Sequence, residues 1–182
     1  MTHHAIIKLL LIFCCFANYS FAQTFTQNTF NRETTTLNGK WHYIVDMYET
    51  GYYDYRLEPR DNRLGDKEAF YTDTKATYKS DRVEYSFDQS PTLTIPGDWN
   101  TQNEKLFYYE GTLWLKRAFD YKKSQEDHRV FVRFEAVNYH SDVYLNGIKL
   151  GVHTGGFTPF EFEITDLLKE KDNALIIKVD NK

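Results

Sequence analysis

Apolar residues along this chain gather into short runs separated by turn-forming clusters, the pattern of an all-β protein. The first run stands apart. Leu9 to Ala17 (LLLIFCCFA) follows a stretch whose single basic residue is Lys8. It precedes Ser20-Phe21-Ala22, which puts small residues at both positions a signal peptidase reads. A membrane span needs roughly 20 apolar residues, so this run is too short to cross and stay. It predicts a signal peptide over residues 1–22, cleaved after Ala22, and a secreted or periplasmic protein. Bulky Ile12 and Phe13 ahead of Cys14 and Cys15 argue against a lipid-modified cysteine.

The later runs read as strands. Leu37 to Met47 opens on Asn-Gly and continues with β-formers on both faces. Gly51 to Ser90 is rich in Tyr, Asp, Arg and Lys, and predicts a long surface excursion with a short hairpin, ordered by Tyr52, Tyr53, Tyr55 and Tyr71. Thr92 to Ile95 is a short strand closed by the turn Pro96-Gly97-Asp98. Leu113 to Tyr121 and Arg129 to Val137 come next. In the second, Val130, Val132, Phe134 and Ala136 share one face and Arg133 and Glu135 the other, the period of a half-buried strand.

Asn146-Gly147 between Asp142–Leu145 and Ile148–Gly151 predicts a hairpin with a type I′ turn, because both central residues need positive φ. Phe160, Phe162 and Ile164 alternate with Glu161 and Glu163 as another half-buried strand. Asp166 to Lys171 suits one helical turn, and Ala174 to Val179 is the last strand. Some eight strands and one short helix describe an antiparallel β-sandwich of the jelly-roll, galactose-binding-like kind. The sequence stops three residues after a strong strand, which leads us to expect a sandwich truncated at its C-terminal end.

Composition narrows the function. Removing 22 of 182 residues leaves 160 and takes both cysteines, so the mature chain has no disulfide, thiolate metal site or thiol nucleophile. A domain of this size buries roughly 70% of its unfolded surface and can be stable on its own core. Loss of Lys8 moves the formal charge from −4 to −5, a balance that argues against nucleic acid as a partner. No other run approaches membrane length. The chain holds 14 Tyr, 14 Phe and 3 Trp. Most such rings belong to a core, but sugar-binding surfaces use them too, since pyranose rings stack their C–H faces on aromatic rings.

No catalytic set emerges. A glycosidase needs two carboxyls flanking a bond. Glu161 and Glu163 are two apart on one strand and share one solvent-facing side, with no room for a sugar between them. None of the serines Ser80, Ser86, Ser90, Ser124 and Ser141 sits in a Gly-x-Ser-x-Gly elbow. His42, His128, His140 and His153 lack the spacing of zinc sites, although His140 and His153 bracket the hairpin and could meet in space. Asp61-Asn62 and Asp172-Asn173 fit no EF-hand loop. We therefore expect no metal, no cofactor and no catalytic residue.

Five motifs carry a resemblance: Ile95-Pro96-Gly97-Asp98-Trp99, Tyr109-Glu110-Gly111-Thr112-Leu113-Trp114, Phe134-Glu135-Ala136-Val137-Asn138-Tyr139, Val143-Tyr144-Leu145-Asn146-Gly147 and Gly155-Gly156-Phe157-Thr158-Pro159-Phe160-Glu161. In order and spacing they resemble the N-terminal jelly-roll domain of family 2 glycoside hydrolases, with Leu37-Asn38-Gly39-Lys40-Trp41 as a fitting start. The Gly-Gly-Phe-Thr-Pro-Phe-Glu and Tyr-Glu-Gly segments look more like β-glucuronidases than β-galactosidases. The resemblance implies a carbohydrate-binding domain over residues 23–182, with an oligo- or polysaccharide ligand. In the family an immunoglobulin-like domain and a TIM barrel carrying both catalytic glutamates come after this domain, so no catalytic residue transfers to this chain. The loop from Trp99 to Glu110 lies towards the barrel's mouth in relatives, which marks Trp99, Tyr108, Tyr109 and Glu110 as candidate carbohydrate-facing residues. Packing against those later domains is their competing role. Three readings are open: an accessory domain of a polysaccharide-degrading β-glycosidase, a free-standing carbohydrate-binding module, or an inactive remnant of a disrupted gene.

Overall fold

The computed structural model describes residues 31–59, 87–123 and 127–182. The predicted signal peptide, Tyr71 and most of the long excursion lie outside the described residues. Eight strands form among the described residues: β1 (Gly39–Asp46), β2 (Thr92–Ile95), β3 (Thr112–Phe119), β4 (Phe131–Phe134), β5 (His140–Leu145), β6 (Ile148–Thr154), β7 (Phe160–Glu163) and β8 (Asn173–Asp180). Six make one antiparallel sheet in the order β2-β1-β3-β8-β5-β6, and β4 pairs with β7 in a second layer. The chain is an all-β antiparallel sandwich.

The inner face of the large sheet carries Trp41, Tyr43, Leu113, Leu115, Val143, Leu145, Leu175, Ile177 and Val179, all buried. They meet Val132 and Phe160 from the second layer, with Leu93, Leu106 and Ile164 closing the rim of the core. Phe134 stacks on Phe160 at 4.9 Å between centroids, and His153 stacks on the same ring at 4.1 Å.

The outer face is also buried. Trp114, Tyr144 and Ile176 have no exposed surface and pack with Ile44, Phe87 and Tyr52. Burial on both faces explains why Ala174–Val179, apolar apart from Lys178, shows no alternation. Charges are buried on this outer face as well. Asp46 accepts the indole N–H of Trp114 at 2.9 Å and the backbone N–H groups of Thr50 and Gly51. Lys178, 4% exposed, lies 3.0 Å from Glu49 and 3.8 Å from Asp142, with its ammonium 4.3 Å from the centre of the Tyr52 ring. Asp142 also faces Lys149 at 2.9 Å and His140 at 3.4 Å.

Several expectations are met closely. The hairpin turns at Asn146 (φ 52) and Gly147 (φ 86), as a type I′ turn requires. The excursion begins with a bridge between Tyr53 and Pro59, held by the Asp54 carboxylate accepting from the N–H groups of Arg56 and Glu58.

Others are corrected. Asp166–Lys171 is a turn, not a helix. The side chain of Asn173 brackets Lys169, donating to its carbonyl and accepting from its N–H, and Asn146 donates to the Leu167 carbonyl, which diverts the groups a helix would pair. A short helix, α1, forms instead at Trp99–Gln102. The strand over Arg129–Val137 shortens to β4, leaving Ala136 exposed. Glu161 is not solvent-facing: its side chain is 6% exposed and lies 3.6 Å from Arg133.

Candidate functional site

The segment from Pro96 to Gly111 joins β2 to β3 and carries the four candidate residues. Asp98 caps α1 with extended backbone, and its carboxylate accepts from the Asn100 N–H at 3.0 Å. Gln102 then lays its amide along the sheet edge. Its Oε1 accepts from the Thr94 N–H at 2.7 Å and its Nε2 donates to the Thr94 carbonyl at 3.0 Å, as a neighbouring strand would. Leu106, 2% exposed, anchors the middle of the segment in the core.

Asn100 organises the loop between α1 and β3. Its side-chain N–H2 reaches the carbonyls of Leu106 at 2.6 Å, Tyr109 at 3.1 Å and Phe107 at 3.3 Å. A loop whose carbonyls converge on one carboxamide holds a single course. At its far end the Gly111 N–H donates to Asn181 at 2.8 Å. A Cβ at Gly111 would come within 2.8 Å of the Tyr109 hydroxyl, on a residue with φ near +146, so only glycine fits.

The four candidates divide between two roles. Trp99 is half-buried and its indole N–H points to the Tyr109 carbonyl at 3.4 Å. Tyr109 packs on the core and donates its hydroxyl to the Thr112 carbonyl at 2.9 Å. Burial, reinforced by the Asp46 carboxylate, pushes that phenol up to about 12. These two residues hold the loop. Tyr108 is 91% exposed with Phe107 edge-on against it at 4.7 Å, and Glu110 is exposed beside it. The loop thus offers an aromatic ring and a carboxylate to the solvent from a rigid support.

The remaining candidates do not converge. His140 pairs with Thr154 in the hairpin register and His153 with Ser141, so the two rings fall on opposite faces of the sheet. His140 meets the Thr154 hydroxyl and His153 stacks on Phe160. Among the described residues no three His, Cys, Asp or Glu side chains gather as metal ligands. Glu163 is held by Arg129 and also accepts from the Thr165 hydroxyl, which draws its carboxyl down to about 2. Glu161 faces Arg133. Charged residues hidden by the local pattern lie instead on the outer face. Burial alone would raise the Glu49 carboxyl, but hydrogen bonding and charge from Lys178, with the Thr112 hydroxyl, outweigh it and leave it below its ordinary value.

Residues 34–182 match the model of the glycosyl hydrolases family 2 sugar-binding domain. A β-glucuronidase of Formosa agariphila is 39% identical over 74 residues, which cover 40% of this chain and 8% of the relative. A β-glucuronidase of Paenibacillus borealis is 25% identical over 160 residues, 86% of this chain and 22% of the relative. The structure of Bifidobacterium dentium β-glucuronidase complexed with coumarin-3-O-glucuronide superimposes with a TM-score of 0.57 at 28% identity, over 80% of this chain and 20% of that one. The chain therefore matches no more than about a quarter of the length of these proteins.

Proposed function

The chain belongs to glycosyl hydrolases family 2 through a sugar-binding domain of β-glucuronidase type, and on that premise we propose that it is an exported carbohydrate-binding accessory domain. It contributes binding to polysaccharide degradation and leaves glycoside cleavage to other domains. Its partners are an oligo- or polysaccharide and the immunoglobulin-like and barrel domains of a longer polypeptide. The short matched fraction of each of these relatives supports that division. Residues 1–22 act as the signal peptide of this reading, and N-terminal sequencing of the exported protein should begin at Gln23.

One observation carries the binding role: Tyr108, almost wholly exposed, stands on a loop whose course is set by hydrogen bonds on both sides of it. A pyranose presents an apolar C–H face that covers such a ring, while its hydroxyls donate to the Glu110 carboxylate. A ring fixed before the ligand arrives costs little ordering entropy on binding. The carboxyls on β7 support a role other than hydrolysis, because Glu161 and Glu163 stand on one strand and are each engaged with arginine.

The test is a glycan array with the exported chain, together with an assay on an aryl β-glucuronide. Retention of glucuronate-containing glycans, weakened by Tyr108→Ala, and no hydrolysis are expected. A folded protein that binds no glycan, or one that cleaves the aryl glucuronide, would overturn the reading.

A further inference from the structure

The turn that follows β1 folds back onto the outer face of the large sheet, and Glu49 is its centre. The Glu49 N–H donates to the Asp46 carbonyl at 3.1 Å, and its own carbonyl accepts from the N–H groups of Tyr52 at 3.0 Å and Tyr53 at 2.8 Å. Glu49 does this at φ 54, in the left-handed region that costs free energy for any residue but glycine. The backbone alone does not favour such a turn, so side chains must hold it.

Two carboxylates do so. Asp46, on β1, accepts from the N–H groups of Thr50 and Gly51, both at 2.9 Å. Glu49 reaches over β3 to β8, accepting from the Thr112 hydroxyl at 3.0 Å and meeting the Lys178 ammonium at 3.0 Å. Tyr52 closes over the pair, its ring centre 4.3 Å from the Lys178 ammonium and 5.5 Å from that of Lys149. The Tyr108 loop is fastened differently. Asn100 gathers its carbonyls, the Asn103 carboxamide donates to the Tyr43 hydroxyl at 2.8 Å, and Leu106 sits in the core. None of these fastenings carries a charge.

We propose that residues 47–53 form an acid-released latch: protonation of Glu49 frees the strained turn from β8, while the sheet and the Tyr108 loop stay closed. A neutral carboxyl no longer attracts Lys178, whose ammonium keeps Asp142 at 3.8 Å. Glu49 then leaves the left-handed region and parts its carbonyl from Tyr52 and Tyr53, while β8 keeps its ladders with β3 and β5.

The charges around Glu49 set the direction. Lys178 and Lys182 face it from β8 and its exit, and the Tyr109 phenol from the loop before β3. Asp46 lies under the same turn, and Asp180 is opposite Thr112 in the sheet register. Asp142 faces Lys178 and is itself met by His140 and Lys149. Burial, the largest single influence, raises the Glu49 carboxyl, but Lys178, the Thr112 hydroxyl and Lys182 together outweigh it. The latch therefore contributes fully above the ordinary value of 4.5 and lets go as pH falls through the lower folded value.

Amide hydrogen exchange of the chain, followed by NMR between about pH 7 and about pH 3.5 and expressed as protection relative to the free peptide rate, tests this. Tyr52 and Tyr53 should lose protection roughly tenfold in acid, as loss of a hydrogen bond to a charged group implies, while Leu106 and Tyr109 keep theirs. Glu49→Gln should show that loss already at neutral pH, with no further change at Tyr52 and Tyr53 in acid. Protection at Tyr52 and Tyr53 that is unchanged in acid, or that falls in step with Leu106, overturns the latch. So does a Glu49→Gln variant that keeps the parent's profile. Should Glu49→Gln fail to fold, Thr112→Val, which removes a group favouring the carboxylate, must move release to higher pH; release at the parent's pH overturns the proposal equally.

Discussion

Replacing Lys178 with Met tests whether the buried charges on the outer face hold the sheet together. Lys178 is central, on a strand with a neighbour on each side, and its ammonium contacts Glu49, Asp142 and the face of Tyr52. Methionine keeps most of the volume and removes the charge. Removing one partner of a buried pair costs ~3–5 kcal/mol, because the other charge stays behind uncompensated. Asp142, 1% exposed, would retain Lys149 and His140, and Glu49 would retain the Thr112 hydroxyl, so the low end applies. Loss of the cation–π contact, worth ~1 kcal/mol, is included. A loss of about 3 kcal/mol should lower the melting temperature by roughly 6–12 °C for a chain of this size.

The pH dependence adds a second constraint. Glu49 has a depressed carboxyl in the folded protein, so its contribution is present above its ordinary value of 4.5 and is lost as pH falls through the folded value. The variant lacks the lysine's share, so the stability gap between parent and variant should be widest near neutrality and narrow in acid. Urea unfolding followed by far-UV circular dichroism measures the gap at each pH. A loss below about 1 kcal/mol at neutral pH, or a gap constant from neutral to acid, would refute this account of the charged network.

Two further variants probe the loop. Asn100→Ala removes the carboxamide shared by the carbonyls of Leu106, Phe107 and Tyr109; because Leu106 keeps the Tyr109 N–H and Tyr109 keeps the Trp99 indole, it should cost about 1 kcal/mol in urea unfolding while weakening glycan retention. Normal retention with a free loop would show that the support is dispensable. Tyr109→Phe should flatten the alkaline stability profile: the parent phenol is raised from 10.0 to about 12, so its contribution is complete below about 10 and falls away as pH rises towards 12. Parent and variant losing stability in parallel across that window would count against a role for the phenol.

Local chemistry made much of the fold legible. Asn146-Gly147 fixed its hairpin because only residues tolerating positive φ can turn it. Phe160 and Phe162 alternate with Glu161 and Glu163 because β7 buries one face in the sandwich. Where side chains act on backbone at a distance, local reading failed. The helical turn at Asp166–Lys171 is lost to Asn146 and Asn173, and the covering of Glu161 comes from its position opposite Arg133. Ala174–Val179 did contain a clue to the outer face. A lysine within a run that shows no alternation sits where both faces are buried, and such a lysine needs a carboxylate, as Lys178 has in Glu49 and Asp142.

The site was legible only in part, for a topological reason. Tyr108 and Glu110 belong to a motif confined to one loop, and the structure turns both outward. Tyr48, Tyr139 and Phe157 belong to other loops, and no local period relates them to Tyr108. They reach the same end of the sheet because β8 inserts between β3 and β5, bringing the end of β1, the starts of β3 and β5 and the end of β6 into one row. Insertion of the last strand at the centre is a non-local event, complete only when the chain is nearly all folded. This end of the sheet therefore depends on the strand that carries Lys178. Weakening the charged network should loosen the alignment of the Tyr108 loop with those of Tyr139 and Phe157 before it alters any one loop. Lys178→Met should thus speed amide hydrogen exchange at Tyr139 and Gly155, whose N–H groups tie neighbouring loops together, more than at Leu106 and Tyr109 within the Tyr108 loop, at a temperature where the variant is still folded. Equal acceleration at both sets would mean that the loops do not depend on β8 for their common alignment.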